Sequence, residues 1–315
     1  MSIKQIVFDL KKYMRIKYSK PMYLQPLEYR IKKDMEVFER TFGYKFDIYN
    51  PSSFVEKVHT YKLLYSNPQI SKIVDKYAFK SYITEQLGDV GFVAKAYGIY
   101  SSIDELKQAW EALPEEFVLK STISSDGKNI IFVKNKSEMN SRRVFKEIEE
   151  WFDPRNTLLN SFSLGYYDCK PRVLAEEYLH VINEGGNLKD YKFFCFDGKV
   201  RFVYTTARTF IDSQYPRTFF DTDWNKMDVS FAAYPTAETA EKPIHFNEMI
   251  EICEKLSRDF PFVRMDFYDS EEMPILGEMT FYPNGGFMSI EPKSFDIEIG
   301  KEFIIPEQNL LRKKI

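Results

Sequence analysis

A chain of 315 residues has room for about two domains or one large one, and for a sizeable core. With 44% hydrophobic and 29% charged residues it belongs among folded globular proteins rather than disordered ones. A net charge of −3 gives no basic field for a polyanion, which excludes nucleic acid as the main partner. The three cysteines, Cys169, Cys195 and Cys253, are far apart, odd in number and lack metal spacing, so reduced thiols in a cytoplasmic protein are expected. The three histidines, His59, His180 and His245, have no His or Cys close by in the chain, which argues against a zinc centre or a His-based triad. No run reaches the ~20 apolar residues of a spanning helix, so no integral membrane segment is expected, nor a signal peptide at the start.

In chain order, residues 1–20 are basic and amphipathic. Ile3, Ile6, Val7, Leu10 and Met14 fall at helical spacing among lysines and arginines. This is a helix docked on the body, or one able to lie on the anionic inner face of a membrane. Tyr29 to Thr41 reads as a second helix. Ser53 and Glu56 form a capping-box signature, so a helix should start at Phe54. One helix is expected over Ser71–Leu87, stopped by Gly88, with Lys76 and Lys80 four apart on one face. Ser102 should open another that ends by Pro114.

From Phe117 the pattern becomes strand-like. Phe117–Lys120 is a short buried strand and Asn129–Lys134 a second, joined by the hydroxyl-rich Ser121–Gly127. Such a loop can wrap phosphates with backbone N–H groups while Lys120 adds a point charge, but one glycine does not make a P-loop. Arg142–Phe152 is an amphipathic helix with a core stripe, and Pro154–Pro171 is loop-like. Arg172–Leu179 reads as a strand in which the adjacent Glu176 and Glu177 must face opposite ways. Asp197-Gly198 is a two-residue hairpin turn between strands at Lys192–Phe196 and Lys199–Thr205. Thr209–Ala240 is loop-rich, and Asn247–Phe260 is a helix with Met249, Ile250, Cys253 and Leu256 on its core face.

The last segment, Phe260–Gly286, predicts a hairpin. Phe262–Tyr268 and Ile275–Phe281 alternate apolar and polar around a break at Tyr268–Glu271. Arg264 and Asp266 share one strand face, as do Glu278 and Thr280. If the strands pair, a guanidinium, two carboxylates and a hydroxyl meet in one patch. Mg²⁺ takes hard oxygen ligands of this kind together with substrate phosphates. The same alternation also describes a solvated sheet face bearing an ion-pair network.

Together these segments resemble the TupA-like ATP-grasp family, named for teichuronopeptide biosynthesis. The resemblance runs from about Asn50 to Ile299 and rests on NPSSFVEK (50–57), VDKYAFKSYI (74–83), FVLK (117–120), LAEEYL (174–179), DYKFFCFDGK (190–199) and FVRMDFY…GEMTFYPNGG (262–286). It implies an α+β ATP-grasp fold, two lobes clamping ATP and Mg²⁺ (or Mn²⁺). The expected division is a helical region at 1–72, linker helices with the small lobe at 73–180, and the large lobe with the metal site at 181–315. By motif position, the resemblance assigns Lys76 and Lys120 to the α- and β-phosphates, with Ser124, Ser125 and Gly127 in the phosphate loop. Glu176, Glu177 and the backbone near Leu179 would receive the adenine, and Asp190 the ribose. Lys192 and Arg208 would reach the outer phosphates or an acyl-phosphate. Asp266, Glu278 and Thr280 would bind the metal, and Arg264 would steady the transferring phosphoryl group.

Two departures from the superfamily pattern stand out. Thr280 occupies the place of the usual Asn two residues after the metal-binding Glu, with Asn284 as a substitute ligand. The loop STISSDG replaces a Gly-rich segment with a His and is one residue longer. The implied reaction joins a small-molecule carboxylate, such as a uronic acid sugar, to an amine or amino acid in surface polysaccharide (capsule) biosynthesis. A nucleotide-binding module without turnover and a sugar kinase are the alternatives.

Overall fold

The computed structural model describes residues 20–88, 91–124, 129–158, 162–180, 188–208 and 216–311. The basic stretch expected to be helical at 1–20 therefore lies, apart from Lys20, outside the described residues. The first elements are helices α1 (Leu27–Phe42), α2 (Phe54–Leu64), α3 (Pro68–Ile73) and α4 (Lys76–Leu87). The capping box at the start of α2 forms as expected. Ser53 Oγ accepts from Glu56 N, and Glu56 Oε2 accepts from Ser53 N, both at 3.3 Å. The single helix expected over Ser71–Leu87 is two. Asp75 Oδ1 accepts from the N–H groups of Tyr77 (3.0 Å) and Ala78 (2.9 Å), so it caps a new helix whose first residue is Lys76.

A four-stranded antiparallel sheet follows, built from β1 (Ala96–Tyr100), β2 (Phe117–Ser121), β3 (Ile130–Val133) and β4 (Val173–Glu176) in the order β1-β4-β2-β3. Helices α5 (Ile103–Ala109) and α6 (Ser141–Glu149) cover one face of it, around Trp110, Phe117, Leu119, Ile148 and Trp151. β1 has no counterpart in the sequence reading, because an edge strand reading AYGIY lacks alternation and carries a register irregularity at Tyr97. β4 ends at Glu176, so Leu179 lies beyond the strand rather than within it. The loop-like region 154–171 contains, among the described residues, a short helix α7 (Pro154–Leu158) and a 3-10 turn at Leu164–Tyr166.

A second antiparallel sheet has the order β10-β9-β5-β6-β7, from β5 (Leu188–Phe196), β6 (Lys199–Arg208), β7 (Arg217–Phe220), β9 (Val263–Asp269) and β10 (Pro274–Thr280). Asp197 (φ 47°) and Gly198 (φ 80°) make the expected tight turn between β5 and β6. Helix α8 (Phe246–Ser257) packs on one face, where Phe246 meets Phe193 at a ring separation of 5.8 Å. A two-stranded ribbon, β8 (Ser230–Phe231) with β11 (Ile290–Glu291), and helix α9 (Lys293–Glu302) complete the described elements. The opposite face of the large sheet is apolar at one end only. There Phe194 and Phe202 pack against Phe54 of α2 and Phe295 of α9. Helices α2–α4 thus share one core with the large sheet, while the small sheet has a core of its own. The molecule is α+β, as expected.

Beneath the turn after β10, three buried titratable side chains meet, and burial holds the His59 imidazole below its ordinary value. Asp34 of α1 forms an ion pair with Lys62, Oδ1 to Nζ 2.7 Å, and its Oδ2 lies 2.5 Å from His59 Nδ1. Lys62 donates to the Gly285 carbonyl at 2.5 Å, and His59 Nε2 lies 3.2 Å from that of Gly286. Gly286 has φ 86°, and a Cβ there would come 2.8 Å from the His59 ring, so only glycine suits the position. Removing one partner of a buried ion pair leaves a charge without compensation. Lys62→Met is therefore expected to lower stability by about 3–5 kcal/mol. Asp34→Asn together with Lys62→Met should recover much of that loss, as measured by urea unfolding.

Candidate active site

The β9–β10 hairpin forms where the alternation put it, with a local irregularity that matters. Phe267 pairs with Leu276 but Asp266 pairs with Glu278, so Gly277 is the extra residue of a bulge. The shift brings Glu278 directly opposite Asp266, and Thr280 opposite Arg264. Across β9, Asp266 also pairs with Lys192 of β5, and on the far side of β5 Asp190 pairs with Thr206. Alternation places Asp190, Lys192, Arg264, Asp266, Glu278 and Thr280 on one face of the sheet.

Within this face Asp266 is the hub. Arg264 holds it as a fork, Nε to Oδ1 at 2.6 Å and Nη2 to Oδ2 at 2.7 Å, and Lys192 Nζ donates to Oδ2 at 2.6 Å. Arg264 Nη2 also donates to Thr280 Oγ1 at 3.2 Å. Lys192 lies 3.3 Å from Asp190 Oδ2, which accepts from Thr206 Oγ1 at 3.4 Å. Burial opposes charge on Asp266, but Arg264 and Lys192 outweigh it and hold the carboxyl below its ordinary value. For Lys192 burial is outweighed by Asp190 and Asp266, and the ammonium is held above the ordinary lysine range.

The small sheet and α4 supply the opposite charge. Glu176 is buried and both its oxygens are taken, Oε1 by Lys120 and Oε2 by Lys80 at 2.7 Å. Lys80 also donates to the Ala94 carbonyl at 2.6 Å. The Lys76 ammonium donates to the Ser124 carbonyl and senses the charges of Glu278, Lys120 and Glu176, which ties the two sheets together at this point. Burial holds both Lys76 and Lys80 below the ordinary lysine value, and the nearby carboxylates do not fully restore them. Glu176 moves down as well, because Lys120 and Lys80 overcome its burial. Glu176 pairs directly with Lys80 and Lys120, while Lys76 has no direct carboxylate partner among the described residues and feels Glu278 most, so its ammonium is suited to an arriving anion.

Of the other residues singled out in the sequence, Ser124 is buried and donates its hydroxyl to the Ser121 carbonyl at 3.1 Å, while Ser125 and Gly127 lie outside the described residues. Glu177 stands just past the end of β4, accepts from Lys95 N at 3.2 Å, and its charge also reaches Lys80. Leu179 is half-buried past the end of β4. Arg208 is the last residue of β6, and its side chain lies outside the described set. Asn284 is exposed at the tip of the turn after β10, with φ 49°. Sequence reasoning placed Lys80 on the helix face that carries Lys76 and gave it no role in the site. The structure instead buries it against Glu176, and only its i+4 spacing from Lys76 signalled this.

The residues on the large sheet suit a hard cation. Asp266, Glu278 and Thr280 offer oxygen donors alone. A carboxylate has about four lone-pair sites. On Asp266 three are taken by Arg264 and Lys192, which leaves Oδ1 one site toward a metal. Among the described residues no cluster of three or more His, Cys, Asp and Glu side chains forms a closed metal cage. Two carboxylates are what a cation shared with substrate phosphates requires. Among the described residues no helix is long and apolar enough to cross a membrane.

The TupA-like ATPgrasp family model matches residues 56–304. Among solved structures, the chain is similar to D-alanine–D-alanine ligase from Bacillus anthracis, at 15% identity over 78% of this chain and 72% of that one, TM-score 0.40. It is also similar to N5-carboxyaminoimidazole synthase from Aspergillus clavatus, at 14% identity over 75% and 50% of the two chains, TM-score 0.39. The ATP-grasp ligase PsnB gives 10% identity over 69% and 55%, TM-score 0.38. At these scores the three likenesses carry no argument about activity. The chain spans about half the length of PsnB, 55% of it. No curated protein matches the chain.

The Glu176 cluster has a pH signature. A carboxyl held below its ordinary value of 4.5 in the folded state contributes stability that is fully present above that value and is lost as pH falls through the lowered one. Glu176→Gln should therefore unfold at lower urea concentration than the wild type at pH 7. The gap should close progressively on acidification below the ordinary carboxylate range, as followed by urea unfolding from pH 7 to pH 3.

Proposed function

The chain belongs to the TupA-like ATP-grasp family, and from that premise we propose that it is an ATP- and Mg²⁺-dependent carboxylate–amine ligase that releases ADP. The carboxylate is a uronic acid or similar acidic sugar, the amine an amino acid or simple amine, and the product an amide in a surface polysaccharide made in the cytoplasm. The observation that carries the reading is the cleft with Lys76, Lys80 and Lys120 around Glu176, set against the Asp266–Glu278 pair.

In this reading Lys76 and Lys120 take the α- and β-phosphates, with the loop around Ser124, Ser125 and Gly127 over them. Glu176, Glu177 and the backbone near Leu179 line the adenine site, and Asp190 meets the ribose. Asp266 and Glu278 hold the cation, with Thr280 or Asn284 as third donor and Mn²⁺ as a substitute metal. The bound cation supplies neutralisation of phosphate charge. A substrate carboxylate oxygen attacks the γ-phosphorus, an O–P bond forms, the bond to the β-phosphate oxygen breaks, and ADP leaves. The amine nitrogen then attacks the carbonyl carbon, the C–N bond forms, inorganic phosphate departs, and the nitrogen gives up a proton. Lys192 and Arg208 bind the outer phosphate or the acyl-phosphate. Arg264, already aligned by Asp266, stabilises charge that builds on the phosphoryl oxygens during transfer.

A second reading, a nucleotide-binding module without turnover, is favoured by the engagement of the Thr280 hydroxyl with Arg264. Two measurements test these readings. Lys120→Ala should weaken ADP binding by about tenfold or more in calorimetry, since a lysine–phosphate contact is a charge-assisted hydrogen bond. In ADP-release assays against paired panels of uronic acids and amines, Arg264→Ala should lower kcat by about 10²-fold or more while ADP affinity changes little. Wild-type protein that binds ADP but releases none with any substrate pair would leave the binding module standing and remove the ligase.

A further inference from the structure

Lys76 is delivered to the cleft by a chain of bonds that joins Asp75, within the motif at 74–83, to Thr122 and Arg172, which lie outside every family motif. Asp75 Oδ1 accepts from the N–H groups of Tyr77 and Ala78 and also from Arg172 Nη2 at 3.1 Å. Arg172 stands just before β4, 97 residues further along the chain, with its guanidinium 5.5 Å from the centre of the Tyr77 ring. Its backbone is bonded to Thr122 in both directions. Arg172 N donates to Thr122 Oγ1 at 3.3 Å, and Thr122 N donates to the Arg172 carbonyl at 2.9 Å. Thr122 in turn receives Lys76 N on its carbonyl at 2.9 Å, and the Lys76 ammonium reaches the Ser124 carbonyl. The start of α4, the start of β4 and the first residues of the loop after β2 are therefore closed into one ring of hydrogen bonds. Asp75 and Thr122 are buried, and Arg172 is the half-exposed member.

Physically, this ring solves a placement problem. Lysine is a point charge on a flexible stem, so an ammonium binds phosphate well only if its origin is held. Burial already disfavours the charged form of Lys76, so the helix start that carries it must be fixed against recoil. A cap alone fixes the helix end relative to itself. The Arg172–Asp75 pair fixes it relative to the small sheet, and so to Lys120 and Ser124.

We propose that Arg172 and Asp75 are positioning residues for phosphate binding. They lock Lys76 and the 121–124 segment into one unit without touching the nucleotide. This rests on the nucleotide reading given above. Its specific consequence is a selective loss. Ligands with phosphates should depend on the pair, and a nucleoside should not.

The test compares binding of ADP with Mg²⁺ and binding of adenosine by calorimetry, in wild type and three variants. Arg172→Met keeps most of the stem but removes the guanidinium. It should raise the Kd for ADP about tenfold, the equivalent of one lost charge-assisted hydrogen bond, and leave adenosine unchanged. Arg172→Lys should recover part of the loss. Asp75→Asn retains a side-chain oxygen for the helix cap but loses the charge, so it should show the same selectivity. It also serves if Arg172→Met does not fold. Equal weakening of ADP and adenosine would mean a merely structural role and would overturn the proposal, as would unchanged ADP affinity in both Arg172→Met and Asp75→Asn. If the wild type binds neither ligand, the nucleotide reading itself fails. If the wild type binds ADP and the variants match it, only the positioning role is lost.

Discussion

Glu176 is the group that permits the rest of the cleft to exist. Three lysines on two different elements cannot be brought together in a buried space without a counter-charge, because each ammonium loses hydration and repels the others. Glu176 takes Lys80 on one oxygen and Lys120 on the other, and Lys76 stands within range of its field. The compensation is incomplete, and the incompleteness is useful. Lys76 and Lys80 remain held below their ordinary pKa by burial, so an arriving anion meets a site already poised to gain from it.

The large sheet solves the complementary problem. Its face gathers carboxylates, Asp190, Asp266 and Glu278, and tempers them with Arg264 and Lys192. The fork from Arg264 to Asp266 orients both groups before any ligand arrives, and an oriented guanidinium need not reorganise when charge develops nearby. The bulge at Gly277 is what makes the face work, because without that extra residue Glu278 would not stand opposite Asp266. A cation-rich surface therefore lies across from a carboxylate-rich one. Between them, phosphates and a divalent cation can each find the partner they need.

The helices at the start of the described chain contribute by covering and bracing. Phe54 and its neighbours cap the apolar end of the large sheet, so only its polar end remains open. The buried Asp34–His59–Lys62 group fixes the backbone of the turn after β10 by bonding its carbonyls. The ring through Asp75, Arg172 and Thr122 does the same for the start of α4. Both devices use side chains that are not assigned to the ligand to hold the backbone on which cleft residues stand.

By itself the sequence determined the features that depend on neighbours in the chain. The capping box at Ser53 and Glu56, the Asp197-Gly198 turn and the β9–β10 hairpin were all legible, because caps, tight turns and two-residue alternation are local physics. So were the shared face of Arg264 and Asp266 and that of Glu278 and Thr280, which the bulge at Gly277 then brings together, and the resemblance of the ordered motifs supplied the family. The tertiary structure alone decided that β1 joins the small sheet and that Lys80 is buried on Glu176. Only the fold showed that both oxygens of Glu176 are occupied and that Arg172 reaches Asp75. These contacts join residues far apart in the chain, for instance the 97 positions between Asp75 and Arg172. A local pattern reports which side of an element faces inward. Which charge it meets there depends on how distant elements pack, because pairing follows proximity in space.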